Sequence, residues 1–131
     1  MIRVLTYGTF DLFHHGHVRL LRRLRDLGDH LVVGCSTDEF NAAKGKTTII
    51  PYAERVEVLA ACRYVDEVIP EYCWDQKSVD IQTLRVDILG MGDDWQGKFD
   101  DMGAYARVVY LPRTPEISTT AIKHETIRRV A

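Results

Sequence analysis

A strand that passes through a glycine directly into an amphipathic helix opens the chain, and it constrains the fold more than any later segment. Residues 2–7 form a short β-branched and apolar run that ends at Gly8, as a buried strand entering a turn does. From His17 onward, leucines at positions 20, 21, 24 and 27 recur at helical spacing, and arginines fill the opposite face. A buried strand followed at once by such a helix predicts the first unit of a layered α/β domain.

The same alternation of strand and helix continues along the chain. Apolar runs predict further strands at 31–35, 67–70, 86–91 and 107–111. Helical patterns cover 53–61 and 78–84 and begin again near Ser118, while the polar segment 36–50 is predicted as a loop that closes over a ligand. We therefore predict a single domain over residues 1–131 of the α/β class. Its Rossmann-like, doubly wound, mostly parallel five-stranded sheet carries helices on both faces and ligands at the carboxyl ends of the strands.

Composition narrows the possible partners. The 17 basic and 19 acidic side chains give a formal net charge of -2, so we expect no general attraction to nucleic acid. No apolar run approaches the roughly 20 residues that span a bilayer, and nothing like a signal segment precedes the first strand, so we expect no membrane insertion. Three cysteines without the spacing of a disulfide framework indicate a reducing compartment. We expect a cytoplasmic protein.

Two histidines one helical turn apart follow the first strand. If the helix begins near His14, the imidazoles of His14 and His17 project from one side of its first turn, beside unsatisfied backbone N–H groups and the positive end of the helix dipole. Phosphate oxygens suit that position. A zinc site is less well supported because no Cys-x-x-Cys pair lies nearby. A plain surface turn remains an alternative, but it would not need Gly8 and Gly16 on either side of the cluster.

Two further stretches fall at predicted strand ends or loops. Lys44 and Lys46 are either a solvated charge pair in a loop or ligands of phosphate. Asp93 and Asp94 could bind a divalent metal, accept a hydrogen bond from the exocyclic amino group of a base, or face solvent. A carboxylate in the second role favours cytosine or adenine over uracil. The tryptophans at positions 74 and 95 are interpreted as packing or interface residues.

A fourth stretch, residues 113–120, combines a guanidinium with a turn and a helix start rich in hydroxyl groups. Arg113 and the Ser118-Thr119-Thr120 run can all donate hydrogen bonds to a polyphosphate. Ordinary capping of the final helix by Ser118 is the alternative interpretation. In a doubly wound fold this stretch, the histidines, the lysine loop and the aspartates converge on one edge of the sheet.

Taken together, these motifs resemble the cytidylyltransferase family of the paired-histidine nucleotidyltransferase superfamily. The residues that carry the resemblance are Gly8-Thr9-Phe10-Asp11, His14-x-Gly16-His17, Met91-Gly92-Asp93-Asp94-Trp95, Arg113 and Ile117-Ser118-Thr119-Thr120. The resemblance implies transfer of CMP from CTP to the phosphate of sn-glycerol 3-phosphate, which releases pyrophosphate and makes CDP-glycerol. It also implies Mg²⁺ bound with the CTP phosphates, and a homodimer with residues 63–70 at or near the interface.

The resemblance implies roles for particular residues. Those implied in catalysis are His14, His17, Lys46 and Arg113. Those implied to bind the nucleotide are Thr9, Phe10, Asp11, His14, His15, Gly16, His17, Lys46, Asp94, Arg113, Thr114, Ile117, Ser118, Thr119 and Thr120. Lys44 and Lys77 match positions that hold the glycerol phosphate, Asp94 is the candidate for cytosine, and no residue is assigned to a metal.

Two other functions remain open from the residues. A related nucleotidyltransferase would use another acceptor, such as ethanolamine phosphate, a sugar phosphate or FMN, or would use ATP as donor. A nucleotide-binding module without catalytic activity would have the same fold but would not carry out the transfer. The second alternative gives no chemical reason for the chain to hold both histidines together with Lys44, Lys46 and Arg113.

Overall fold

A parallel sheet of five strands forms the centre of the molecule. The structure, a computed structural model, describes residues 1–112. Its strands are β1 (Arg3–Gly8), β2 (His30–Ser36), β3 (Glu67–Glu71), β4 (Ile88–Gly92) and β5 (Arg107–Leu111). Their spatial order is β3-β2-β1-β4-β5, and every described pairing is parallel. Because the order reverses at β1, the crevice at the carboxyl end of that strand is the place where such sheets bind ligands.

Successive side chains of the central strands alternate between two hydrophobic clusters, one on each face of the sheet. Val4 of β1 packs in one cluster with Leu31 and Val33 of β2. Leu5, the next residue of β1, packs in the other cluster with Val32. Since successive strand side chains point to opposite faces, β1 and β2 are buried on both sides and need helices above and below.

The helices supply these two covering layers. The described helices are α1 (His15–Arg25), α2 (Asp38–Ala43), α3 (Tyr52–Ala61) and α4 (Gln76–Thr83), with short 3₁₀ turns at Asp93–Trp95 and Asp100–Ala104. Leu21 and Leu24 of α1 and Leu59 of α3 pack on one face of the sheet. Ile81 of α4 packs on the other face. The predicted doubly wound α/β fold is therefore confirmed.

The segment 36–50, predicted as a loop throughout, contains the short helix α2, and that prediction was wrong there. The hydroxyl of Thr37 accepts a hydrogen bond from the N–H of Phe40, and two acidic residues follow in the first turn. Capping and favourable dipole charge stabilise six residues whose apolar pattern is too short to show a helical period. In addition, α4 begins two residues earlier than predicted, at Gln76.

The helix predicted from Ser118 lies outside the described residues. Within residues 1–112, no helix is long and apolar enough to cross a bilayer.

Candidate active site

A cleft of about 440 Å³ opens at the carboxyl ends of β1, β2 and β4. The loop after β1, the start of α1, the segment after α2 and the turn after β4 all contribute to its wall. The predicted site residues that line it are Thr9, Phe10, Asp11, His14, Gly16, His17, Lys44, Lys46 and Asp94. Segments distant in the sequence therefore meet at the predicted edge of the sheet.

The two histidines themselves cap the helix that carries them. The Nδ1 atom of His14 accepts a hydrogen bond from the N–H of Gly16 at 3.1 Å, and Nδ1 of His17 accepts one from the N–H of His14 at 3.2 Å. Their rings stack with centroids 3.9 Å apart. A neutral imidazole that accepts at Nδ1 carries its proton on Nε2. Both rings are thus fixed as Nε2–H donors. The backbone N–H groups of His14 and Gly16, which the sequence predicted would bind phosphate, donate to the histidine rings instead.

Burial keeps both imidazoles neutral. Desolvation lowers the pKa of His17 to about 4, with a smaller contribution from His14, while Asp11 acts in the opposite direction. Phe10 and Phe13 pack against the His17 ring, with centroids 5.4 and 5.5 Å away. Desolvation also lowers the pKa of His14, helped by His15. At neutral pH the pair therefore offers hydrogen bonds without a full positive charge.

The loop between β1 and α1 has a tightly constrained backbone. Phe10 and Leu12 adopt positive φ angles of 55° and 50°, a region that non-glycine residues rarely occupy. Between them, the carboxylate of Asp11 accepts hydrogen bonds from the N–H groups of Ile49 and Ile50 at 2.8 and 2.9 Å. Asp11 thereby joins the first loop to the segment before α3 and holds both in place.

A buried arginine joins three further segments below the cleft. The side chain of Arg55, in α3, is 1% exposed. Its guanidinium donates hydrogen bonds to three backbone carbonyls, those of Thr9, Ser36 and Ile50. It also pairs with the carboxylate of Asp38 at 2.7 Å. Because these donors are rigidly spaced, Arg55 fixes the relative positions of the loops after β1 and β2.

Lysines and aromatic rings form the outer wall of the cleft. The Lys44 ammonium lies 4.3 Å from the ring centroid of Phe40 and 5.5 Å from that of Trp74. Desolvation lowers the pKa of Lys44. The Lys46 ammonium lies 5.8 Å from the Trp95 ring. Both tryptophans pack against phenylalanine rings, Trp74 on Phe40 and Trp95 on Phe99, as the sequence predicted. Both also line the cleft, which the sequence did not predict.

Lys77 lies behind this wall rather than in it. Its ammonium forms an ion pair with Glu71 at 2.6 Å, and both side chains are 4% exposed. The other oxygen of Glu71 accepts a hydrogen bond from the hydroxyl of Ser36, which in turn accepts one from Lys44 at 3.3 Å. Glu71 and Ser36 line the cleft, so a polar chain connects Lys77 to Lys44 along its floor.

Asp94 lies in the turn after β4 and lines the cleft there. It is exposed, and a Cβ atom on Gly92 would lie 2.8 Å from its Oδ1 atom. Glycine at position 92 therefore gives the carboxylate room to fold back toward the end of the strand.

Some predicted site residues are not brought to the cleft. His15 is exposed and does not line it, although its ring lies edge-on to that of His14 at 6.2 Å. Six predicted residues lie outside the described part of the chain: Arg113, Thr114, Ile117, Ser118, Thr119 and Thr120. The roles assigned to all these residues remain predictions.

Sequence reasoning missed the side chains that support the cleft, chiefly Arg55, Glu71 and Tyr7. Tyr7 and Arg55 were treated as parts of an ordinary strand and helix, and Glu71 directly follows the predicted strand 67–70. The one available signal was a charged residue on the apolar stripe of α3, since Arg55 lies four residues before the buried Leu59. No pattern in the sequence predicts which carbonyl groups Arg55 binds.

Among residues 1–112, the site combines hydrogen-bond donors and positive charge and holds no activated nucleophile. The Nε2–H donors of two stacked imidazoles lie at one wall and two ammonium groups at another. Such a set stabilises negative charge on phosphate oxygens, which is the main requirement of phosphoryl-type transfer.

Comparison with known proteins places this arrangement in a family. The model of the cytidylyltransferase-like family matches residues 5–125. The chain is 56% identical to a glycerol-3-phosphate cytidylyltransferase from Bacillus subtilis, over 95% of this chain and 97% of that protein. It is 52% identical to the protein of the same name from Staphylococcus aureus, over 95% of each chain.

Solved structures show the same fold. A lipopolysaccharide core biosynthesis protein from Thermoplasma volcanium superposes with a TM-score of 0.74 at 27% identity, over 87% of this chain and 98% of that one. The resemblance inferred from the sequence is confirmed by the family match and by relatives that align along almost the whole length. The chain is therefore a member of the cytidylyltransferase family.

Proposed function

We propose that this chain is an enzyme that transfers CMP from CTP to sn-glycerol 3-phosphate, giving CDP-glycerol and pyrophosphate. The observation that carries the proposal is the pair of stacked, neutral imidazoles that caps α1 beside the end of β1. The names of relatives that are 52–56% identical support the choice of nucleotide and acceptor.

The reaction proceeds in one displacement. A phosphate oxygen of glycerol 3-phosphate forms a bond to the α-phosphorus of CTP while the bond from that phosphorus to the α–β bridging oxygen breaks. Pyrophosphate leaves with the bonding electrons. Because the attacking oxygen is already anionic, no general base is needed, and the enzyme acts by positioning the reactants and stabilising charge.

The described residues divide these tasks. His14 and His17 donate hydrogen bonds from Nε2 to oxygens of the reacting phosphates, where their neutral state avoids the cost of burying a charge. Lys46 neutralises charge on the nucleotide, and Lys44 binds the phosphate of the acceptor. Asp94 accepts a hydrogen bond from the amino group of cytosine. Arg113 and the stretch 114–120 complete the nucleotide site according to the family motif.

Magnesium is proposed to enter with the nucleotide. Mg²⁺ commonly binds through substrate phosphates and one or two carboxylates, retaining several waters. The part of the chain that the structure describes holds no group of three His, Cys, Asp or Glu residues arranged for a metal ion. The phosphates of CTP would then supply most of its ligands, and the ion would neutralise charge on them.

A homodimer and a cytoplasmic location complete the proposal. The stretch 63–70 ends in β3, an edge strand of the described sheet, and Arg63, Glu67 and Pro70 are exposed. An exposed edge can be covered by a second copy. Sedimentation at micromolar concentration tests this: a species of twice 15.0 kDa is expected, and a species of 15.0 kDa alone would contradict it.

Pyrophosphate release measured across a matrix of substrates tests the activity. CTP, ATP, GTP and UTP are each combined with glycerol 3-phosphate, ethanolamine phosphate, FMN or no acceptor, in the presence of Mg²⁺. Release with CTP and glycerol 3-phosphate alone is expected. Release with a different pair would reassign the substrate, and silence with every pair while CTP still binds would indicate a module without catalytic activity.

A further inference from the structure

The loop that brings Trp74 to the cleft is tied down by one buried side chain. Gln76, the first residue of α4, is 5% exposed. Its Oε1 atom accepts hydrogen bonds from the N–H groups of Tyr72 and Cys73 at 2.6 and 3.0 Å. Its Nε2 atom donates to the carbonyl of Pro70 at 2.8 Å. A single amide thus holds the start of the loop against the strand that precedes it.

The same amide connects the loop to the floor of the cleft. Nε2 of Gln76 also donates to Oδ2 of Asp80 at 2.9 Å, and that oxygen accepts a hydrogen bond from the hydroxyl of Tyr7 at 2.7 Å. Tyr7 belongs to β1 and lines the cleft. Two donors and two acceptor sites of the amide are therefore used, and the β3–α4 loop is joined through α4 to the central strand.

Trp74 depends on this connection because its own ring is not held by burial. The side chain is among the exposed large hydrophobic groups, at 49%. It nevertheless contacts the ring of Phe40 at 5.2 Å, and the ammonium groups of Lys44 and Lys77 lie 5.5 and 5.0 Å from it. A half-exposed ring keeps such a position only if the backbone beneath it is fixed.

We propose that Gln76 is a positioning residue that sets the acceptor side of the cleft by fixing the loop that carries Trp74. The inference rests on the proposed function, in which Lys44 binds the phosphate of the acceptor. The nucleotide side is built separately: the histidines cap α1 through hydrogen bonds to its own first turn, whereas the Gln76 amide donates to Pro70 and Asp80. Loss of the amide therefore disturbs acceptor binding more than nucleotide binding.

Steady-state kinetics of Gln76→Ala test this separation. The KM for glycerol 3-phosphate is expected to rise about tenfold or more, while the KM for CTP stays within about twofold. Gln82→Ala is the matched control, because Gln82 is an exposed glutamine of the same helix whose amide donates to the carbonyl of Ser78, one turn back in α4. It should leave both constants unchanged. Equal rises in the two KM values for Gln76→Ala would overturn the proposal.

A second variant, Gln76→Glu, distinguishes a positioning role of Gln76 from a general loss of folded structure. Gln76→Glu keeps the acceptors for Tyr72 and Cys73 but places a carboxyl group beside Asp80, where a shared proton would replace the missing donor. The ratio of its KM for glycerol 3-phosphate to that of the parent protein should be close to one near pH 6 and should rise toward pH 8. If this ratio does not change with pH, the proposed link to Asp80 is wrong.

Amide hydrogen exchange tests whether Gln76 holds the β3–α4 loop in place, without any assay of activity. In Gln76→Ala, the amides of Tyr72 and Cys73 should exchange much faster than in the parent protein, while amides of β1 keep their protection. Unchanged exchange at these two amides would overturn the role of Gln76. If the parent protein fails to make CDP-glycerol, the proposed function is wrong, and this exchange measurement still tests the positioning of the loop.

Discussion

His14 and His17 each perform a structural and a chemical task. Their Nδ1 atoms cap the first turn of α1, a task usually carried out by serine, threonine, aspartate or asparagine. Using imidazoles for the cap fixes the tautomer and leaves the proton on Nε2. The helix start and the orientation of the donors are thus determined by the same hydrogen bonds.

Acid should destabilise the protein through His17. Its folded pKa is lowered from 6.5 to about 4, so the unfolded chain binds the proton more readily, and stability present above pH 6.5 is lost as the pH falls toward 4. This one group should lower the free energy of unfolding by roughly 2 kcal/mol between pH 7.5 and pH 5. Urea unfolding measures it, with His17→Asn as the comparison. An equally steep loss in that variant would contradict the assignment.

Arg55 should be one of the residues most sensitive to substitution. Arg55→Met fills similar space but leaves the part-buried carbonyl group of Thr9 and the buried one of Ser36 without these donors. We expect a loss of roughly 3 kcal/mol in the free energy of unfolding and a weaker affinity for CTP. Arg22→Met, on an exposed face of α1, is the control and should change stability by less than about 0.5 kcal/mol. Chemical denaturation that gives the two variants similar stability would contradict the account.

At the scale of elements, the sequence predicted what local patterns determine. All five strands and the helices α1, α3 and α4 carry an apolar period long enough to be recognised. The helix α2 has six residues, and its stability comes from capping and from contacts with distant segments, so no period reveals it. The supporting roles of Arg55 and Gln76 were missed for the same reason, because their partners come from other segments of the chain.

The cap of α2 provides a test at this scale. Thr37→Ala removes the acceptor for the N–H of Phe40 and should lower the free energy of unfolding by about 1 kcal/mol. Since α2 leads directly to Lys44, the KM for glycerol 3-phosphate should rise as well. Thr37→Ser keeps the hydroxyl and is expected to behave like the parent protein in both denaturation and kinetics. An alanine variant that matches the serine variant would show that the cap is unimportant.

At the scale of the whole molecule, charge is distributed unevenly. The formal net charge is -2, yet all four lysines among the described residues lie at or behind the walls of the cleft or of a smaller pocket that adjoins it at Lys44, Lys46 and Trp95. These are Lys44, Lys46, Lys77 and Lys98. Ammonium groups gathered around one cleft of a nearly neutral protein attract a polyanion locally without promoting general binding to nucleic acid.

Salt should therefore weaken the binding of CTP. Raising NaCl from about 50 mM to about 500 mM shortens the screening length to a few ångströms, and we expect the Kd of CTP to increase roughly fivefold or more. Calorimetry at constant Mg²⁺ measures this, and Lys46→Gln should show a weaker dependence. A Kd that does not respond to salt would mean that contacts other than charge dominate binding.

Replacing each histidine with asparagine shows whether two neutral imidazoles stabilise the reacting phosphates. The amide oxygen of asparagine can accept the backbone N–H bond that Nδ1 accepts at the start of α1, whereas the Nε2–H donor is lost. The measurement is kcat for CDP-glycerol formation by the parent protein, His14→Asn and His17→Asn. We expect product from the parent protein and a kcat about a hundredfold lower in each variant. The free energies of unfolding at pH 7.5 should stay within about 1 kcal/mol of the parent. Variants with near-normal kcat, or a parent protein that makes no CDP-glycerol, would contradict it.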